Sequence, residues 1–209
     1  MALFGNSVDK LIREATVDIR SLSINPKTTV VVNIDTIEGF FTEGDLSSPR
    51  LSQIAPKILR VNEYFLLSPK LFFIDTHTNA STELLTYPSH CVNESEQKII
   101  SSLQQFTEGA TIIHKNSTNG FLSKSYLKWL GEHINDIETY IITGGCTDIC
   151  VMQYALTQKA YLNDNNKRAK IVVVENAVQT FDDSAHDGNL MHNFALYNMY
   201  INGITIAQI

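Results

Sequence analysis

Cys150 stands in Gly144-Gly145-Cys146-Thr147-Asp148-Ile149-Cys150-Val151, where an apolar run turns through two glycines into a helix-patterned segment. A thiol in the first turn of a helix meets unpartnered backbone N–H groups and the positive end of the helix dipole. Both favour thiolate and can bring a cysteine below its ordinary pKa of about 8.5. The same N–H groups suit an oxyanion forming on a carbonyl that the sulfur attacks. Asp35 can take the thiol proton and return it to a leaving amine, while Lys115 can keep carboxylate and thiolate charged. Taken singly, each has a plainer reading: a buried structural cysteine, a turn carboxylate, a surface lysine.

A second group of donors lies in Asp75-Thr76-His77-Thr78-Asn79-Ala80-Ser81-Thr82-Glu83, followed by Tyr87-Pro88-Ser89-His90-Cys91-Val92. Asp75 and His77 share one face of an extended chain, because side chains alternate with period two. Two carboxylates and two imidazoles make a hard-to-borderline set suited to one divalent ion, Zn²⁺ first and Mn²⁺ or Fe²⁺ as alternatives. An isolated Asp-x-His also describes an ordinary polar loop.

These residues need a scaffold that gathers them. β-Branched or aromatic runs at 28–34, 70–74, 110–114, 138–143, 169–174 and 204–207 are apolar on both alternations, as strands buried on both faces are. Helix-patterned stretches occupy 7–19, 49–67, 94–106, 122–134, 148–162 and 184–200, with Ser48 and Pro49 forming a helix start. The alternation predicts a three-layer α/β/α fold around a mostly parallel six-stranded sheet of Rossmann-like topology. Ligands of such sheets collect at the carboxyl ends of the strands. Asp35, Asp75, Lys115 and the Cys146–Cys150 turn each close one strand, so they should share a rim. The polar stretch 76–93 reads as a functional loop.

The remaining features set bounds. A chain of 209 residues, 44% hydrophobic and 18% charged, is expected to form a single domain over 1–209. A net charge of -6 offers no footprint for nucleic acid or an anionic membrane, and no apolar run reaches the roughly 20 residues of a membrane span. Three cysteines and no signal-peptide pattern fit a reducing cytoplasm. No segment declares an apolar interface, so a homo-oligomer stays open.

In this order and spacing the residues resemble the isochorismatase-like cysteine hydrolases, and among them the nicotinamidases, over nearly the whole chain. Gly144 to Val151 is similar to the family's Thr-Asp-x-Cys-Val signature, and Asp35 with Phe40 and Gly44-Asp45-Leu46 to its opening motif. Lys115 matches its lysine after the middle strand, and Ala185-His186-Asp187-Gly188 a recurring helix start. The resemblance implies a catalytic triad of Asp35, Lys115 and Cys150, with the oxyanion held by the backbone N–H groups of Cys146 and Cys150. It implies metal ligation by Asp75, His77 and His90, with Glu83 as an additional ligand, and a pyridine ring held by Phe40 and Tyr87. A Gly145–Cys146 cis peptide is also common in the family.

Three features depart from the pattern. Tyr87 replaces a tryptophan, a Gly-Thr segment after Val92 is missing, and Cys146 replaces a smaller residue. The implied activity is hydrolysis of nicotinamide to nicotinate and ammonia through a thioester. The alternatives are another amide or ureide hydrolase of the superfamily, or a non-catalytic member.

Overall fold

The computed structural model describes residues 2–209. Seven parallel strands form one sheet: β1 (Val17–Asp18), β2 (Thr29–Ile34), β3 (Lys70–Asp75), β4 (Thr111–Lys115), β5 (Thr139–Gly145), β6 (Lys170–Gln179) and β7 (Thr205–Gln208). Their lateral order is β1-β7-β6-β5-β2-β3-β4. The helices are α1 (Ala2–Ala15), the single turn α2 (Glu38–Phe41), α3 (Pro49–Tyr64), α4 (Lys124–His133), α5 (Met152–Asp164) and α6 (Gly188–Ile201).

This is the expected three-layer α/β arrangement, with one strand more than the six expected. The addition is β1, two residues paired with the end of β7 inside a stretch expected to be helical to residue 19. Two residues are too short to carry a period-two signal.

Strand side chains alternate between two cores. Val30, Val32 and Ile34 pack with α4, α5 and α6 residues such as Tyr126, Tyr154 and Leu196, whereas Val31 packs with Leu51, Ile58 and Val61 of α3. Two helical expectations give way to local polar bonding. Only Ser101–Phe106 of the 94–106 stretch is helical, as a 3-10 segment. Ahead of it, the Glu96 carboxylate accepts from the Cys91 N–H and from Asn93 Nδ2, closing a loop. The last helix starts at Gly188 rather than near 184, because Asp187 caps it by accepting from the N–H groups of Asn189 and Leu190.

A buried amide pair locks α3 to the two strands that end at the site. Asn33 Nδ2 donates to Asn62 Oδ1 (3.1 Å), Asn62 Nδ2 donates to Asn33 Oδ1 (2.8 Å), and Thr143 Oγ1 donates to Asn33 Oδ1 (2.9 Å). Both asparagines are fully buried. Gly144 makes the adjoining backbone contact: its φ is +112°, and a Cβ there would lie 1.9 Å from the Ile34 carbonyl oxygen. Only glycine permits that approach.

Asn62→Ala strands the Asn33 amide hydrogens in the core and is expected to lower stability by about 1–3 kcal/mol. Urea unfolding of the variant beside the wild type measures the loss, and an unchanged midpoint would contradict this account.

Candidate active site

Adjacent strand ends bring the charged groups together. Asp35 follows β2 at φ +50°, a left-handed conformation that aspartate tolerates better than most residues, and its N–H donates to the Phe73 carbonyl (3.1 Å). Asp75 ends β3 and Lys115 ends β4, opposite each other in the ladder. The Lys115 ammonium lies 3.0 Å from Asp35 Oδ2, 3.0 Å from Asp75 Oδ1 and 3.9 Å from Cys150 Sγ. Asp35, Asp75 and Lys115 are each at least 97% buried.

The electrostatics follow from that enclosure. Burial raises Asp35 to a pKa of about 6, against the pull of Lys115. Burial works the same way on Asp75, but there Lys115 and two histidines prevail and hold it well below the carboxylate range. Desolvation opposes the Lys115 charge, and the two carboxylates keep it protonated.

Cys150 differs from the sequence expectation. It sits in a π-helical turn, Thr147–Val151, where the N–H groups of Ile149 and Val151 are already given to the Cys146 carbonyl. Burial raises its thiol well above the ordinary value, with Lys115 opposing. The resting form is therefore the thiol, and ionisation calls for a nearby base. The Gly145–Cys146 bond is cis, and all three cysteines are free.

Asp75, His77, Glu83 and His90 each turn one donor atom to a common point, all within 4.8 Å of one another. Asp75 Oδ2 is 3.2 Å from both His77 Nε2 and His90 Nε2, and His77 Nε2 is 3.7 Å from Glu83 Oε1. The opposite atom of each of these four side chains is tied to the protein. Asp75 Oδ1 accepts from Lys115, His77 Nδ1 meets Asn116 Oδ1 (2.8 Å), His90 Nδ1 meets the Pro88 carbonyl (2.7 Å), and Glu83 Oε2 accepts from the Thr118 N–H (2.9 Å). Such outer bonds set ring orientation and leave Nε2 facing inward.

His77 Nε2 is buried without a hydrogen-bond partner, and the Asp75 carboxylate raises the proton affinity of His77. Burial opposes the same effect at His90, where Asp75 and the Pro88 carbonyl still win. A cation suits this point, and the nitrogen–oxygen donor set fits a divalent metal.

A cavity of about 490 Å³ opens above these groups, lined among others by Phe40, Tyr87, His90, Cys146, Cys150 and Phe181. The Phe40 and Tyr87 rings lie 5.8 and 6.2 Å from the His90 ring, centre to centre. The candidate catalytic, metal-binding and ring-holding residues thus gather at one rim, with Phe40, Asp75, Glu83, Tyr87, His90, Cys146 and Cys150 lining the cavity.

Three contributors were not singled out there. Asn116 and Thr118 hold His77 and Glu83 from the segment just after Lys115, where a supporting role at a strand end was legible in principle. Phe181 lies beyond β6, which runs to Gln179 rather than stopping near 174. A register shift opposite Ile142 and Gly144 carries the strand on.

The Isochorismatase domain matches residues 29–203. The chain is similar to Nicotinamidase 1 of Arabidopsis thaliana, at 27% identity over 222 residues and 90% of each chain. Among solved structures it is similar to N-carbamoylsarcosine amidase from Thermoplasma acidophilum, with TM-score 0.69, 23% identity, and 87% and 96% of the two chains covered. It is similar also to the pyrazinamidase of Pyrococcus horikoshii in complex with zinc, with TM-score 0.69, 22% identity, and 87% and 99% covered. No helix among the described residues is long and apolar enough to cross a membrane. The chain belongs to the isochorismatase family of hydrolases.

Proposed function

We propose that this hydrolase converts nicotinamide to nicotinate and ammonia, with Cys150 as nucleophile, Asp35 as proton carrier and Lys115 as the charge that holds them. The observation that carries the reading is the junction of two centres through one side chain: Lys115 touches both the Asp35–Cys150 pair and the metal-ligating Asp75. The relation to a plant nicotinamidase supports the substrate, as do the two aromatics beside His90.

Asp75, His77, Glu83 and His90 would hold a divalent metal, which supplies an electron-pair acceptor for the ring nitrogen of a pyridine amide. Phe40 and Tyr87 hold the flat ring so that its carboxamide carbon meets Cys150 Sγ. The buried thiol gives its proton to Asp35 as sulfur attacks, so no free thiolate has to persist in the cavity. Lys115 compensates the negative charge throughout, and the N–H groups of Cys146 and Cys150 receive the oxyanion, a contribution typically worth about 2.7–4 kcal/mol per donor. Asp35 returns the proton as the C–N bond breaks and ammonia leaves. It then takes a proton from the water that hydrolyses the thioester and returns it to the departing sulfur, releasing the acid and restoring the thiol.

The fold is shared with an N-carbamoylsarcosine amidase, and the absence of the Gly-Thr segment after Val92 alters a loop next to the site. A ureide or a different amide as substrate is the second reading. A cytoplasmic place in pyridine nucleotide salvage belongs with the first.

Purified protein is expected to release ammonia from nicotinamide, to lose that activity on chelation, and to regain it with Zn²⁺, Mn²⁺ or Fe²⁺. Cys150→Ala is expected to be inactive; full activity in that variant would overturn the mechanism. Turnover of a carbamoylated amine but not of nicotinamide would select the second reading. Because Asp35 must be ionised to accept the proton, kcat/KM is expected to fall as pH drops through about 6, and a flat acid limb would exclude Asp35 as the base. Asn116→Ala frees the His77 ring and is expected to weaken Zn²⁺ binding about 10–100-fold, read by competition with a chromogenic chelator; unchanged affinity would remove the supporting role of Asn116.

A further inference from the structure

His186 organises the loop that closes one side of the cavity. Phe181, Asp182 and Asp183 of this loop line the cavity, whereas His186 stands behind them. Its imidazole stacks on the Phe181 ring, with centroids 3.9 Å apart and planes 12° from parallel. Its edge points elsewhere: Nε2 lies 2.7 Å from Asp148 Oδ2, and Nδ1 lies 3.1 Å from the Phe181 carbonyl oxygen. Both ring nitrogens thus face oxygens, one of a side-chain carboxyl group and one of a backbone carbonyl.

Asp148 lies in the π-helical turn two residues before Cys150, and its side chain is 4% exposed. Its Oδ1 is buried without a partner, so His186 is the carboxylate's one hydrogen-bond partner among the described residues. A buried carboxylate with a single partner is tied strongly to it, because losing that bond leaves the charge uncompensated. Phe181 and Cys146 also line the same cavity, so the loop meets the cysteine turn at both ends.

The loop is anchored independently of these contacts. Asp183 Oδ1 accepts from the N–H groups of Ala185 and His186, Asp182 Oδ1 accepts from the Gly188 N–H, and Arg50 donates to the Thr180 carbonyl and to Gln179 and Asn189 side chains. Loss of the His186 ring would therefore release the cysteine turn and Phe181 without unravelling the loop.

We propose that His186 is a positioning residue with two separable actions: through Asp148 it fixes the turn that carries Cys146 and Cys150, and through its ring face it backs Phe181 as a third aromatic wall of the substrate cavity. The inference rests on the reading of Cys150 as nucleophile. It adds Phe181 to the substrate contacts and favours flat aromatic amides over acyclic ones.

Two variants divide the actions. His186→Phe keeps a flat face for Phe181 and removes the bond to Asp148. His186→Gln keeps a donor for Asp148 and removes the stacking face. Steady-state kinetics on nicotinamide, and the rate of Cys150 alkylation by iodoacetamide without substrate, are measured for both. His186→Phe is expected to lower kcat and the alkylation rate about tenfold, with KM within about twofold. His186→Gln is expected to hold kcat and alkylation within about twofold while KM rises about fivefold.

If kcat and KM move together in both variants, or only the melting temperature moves, the two-action assignment is wrong. Should His186→Phe fail to fold, the double variant His186→Phe/Asp148→Leu removes the stranded carboxylate and is expected to show the same slow alkylation. Wild-type alkylation in that variant overturns the tether. If the wild type does not hydrolyse nicotinamide, the substrate reading fails on its own, and the alkylation rates still decide the tether.

Discussion

One buried ammonium holds the site together. Lys115 stands 3.0 Å from each of two carboxylates that could not otherwise share so enclosed a space. Without it, Asp35 and Asp75 would be like charges in a poorly solvating interior, and at least one would stay protonated. With it, their behaviours separate: Asp35 lies near 6, whereas Asp75 is held ionised. One carboxylate is thereby free to carry a proton while the other presents a lasting negative charge to His77 and His90. This division of labour depends on β3 and β4 ending in register, because Asp75 and Lys115 are direct neighbours in the ladder.

The same enclosure decides how the thiol works. A helix start alone suggests a preformed thiolate, and that was the expectation from residues 144–151. The structure gives the local turn a different role, because burial of Cys150 outweighs the nearby charge and two of the adjoining N–H groups are already engaged. On the proposed reading, Cys150 and Asp35 act as a pair, and the proton passes between them inside the protein. On that reading Cys150 is ionised only as a carbonyl is attacked.

The strand-end logic of parallel sheets made much of this arrangement legible in the sequence. Each β-branched run located a strand, and the charged residue after it located a piece of the rim, so Asp35, Asp75, Lys115 and the cysteine turn could be placed together. His77, Glu83 and His90 were legible from donor chemistry within one polar loop. Other features were hidden for identifiable reasons. β1 is too short to show a pattern. The 94–100 segment has helical spacing, but the Glu96 carboxylate is spent on closing a loop. β6 outruns its apolar core, which moved its rim residues, Phe181 among them, out of view. The state of the Cys150 proton depends on desolvation, a property of the assembled interior that no local pattern records.

The distribution of these groups over the chain separates two kinds of change. The reactive groups sit at strand ends, and the Ile34–Gly144 backbone contact fixes two of those strands to within a side chain's thickness. Phe40, Tyr87 and Phe181 stand instead on three separate connections, each leaving a different strand. An insertion or replacement in one connection reshapes one wall of the cavity and leaves the spacing of sulfur, carboxylate and ammonium alone. A scaffold of this kind can exchange its substrates in small steps while inheriting its chemistry intact.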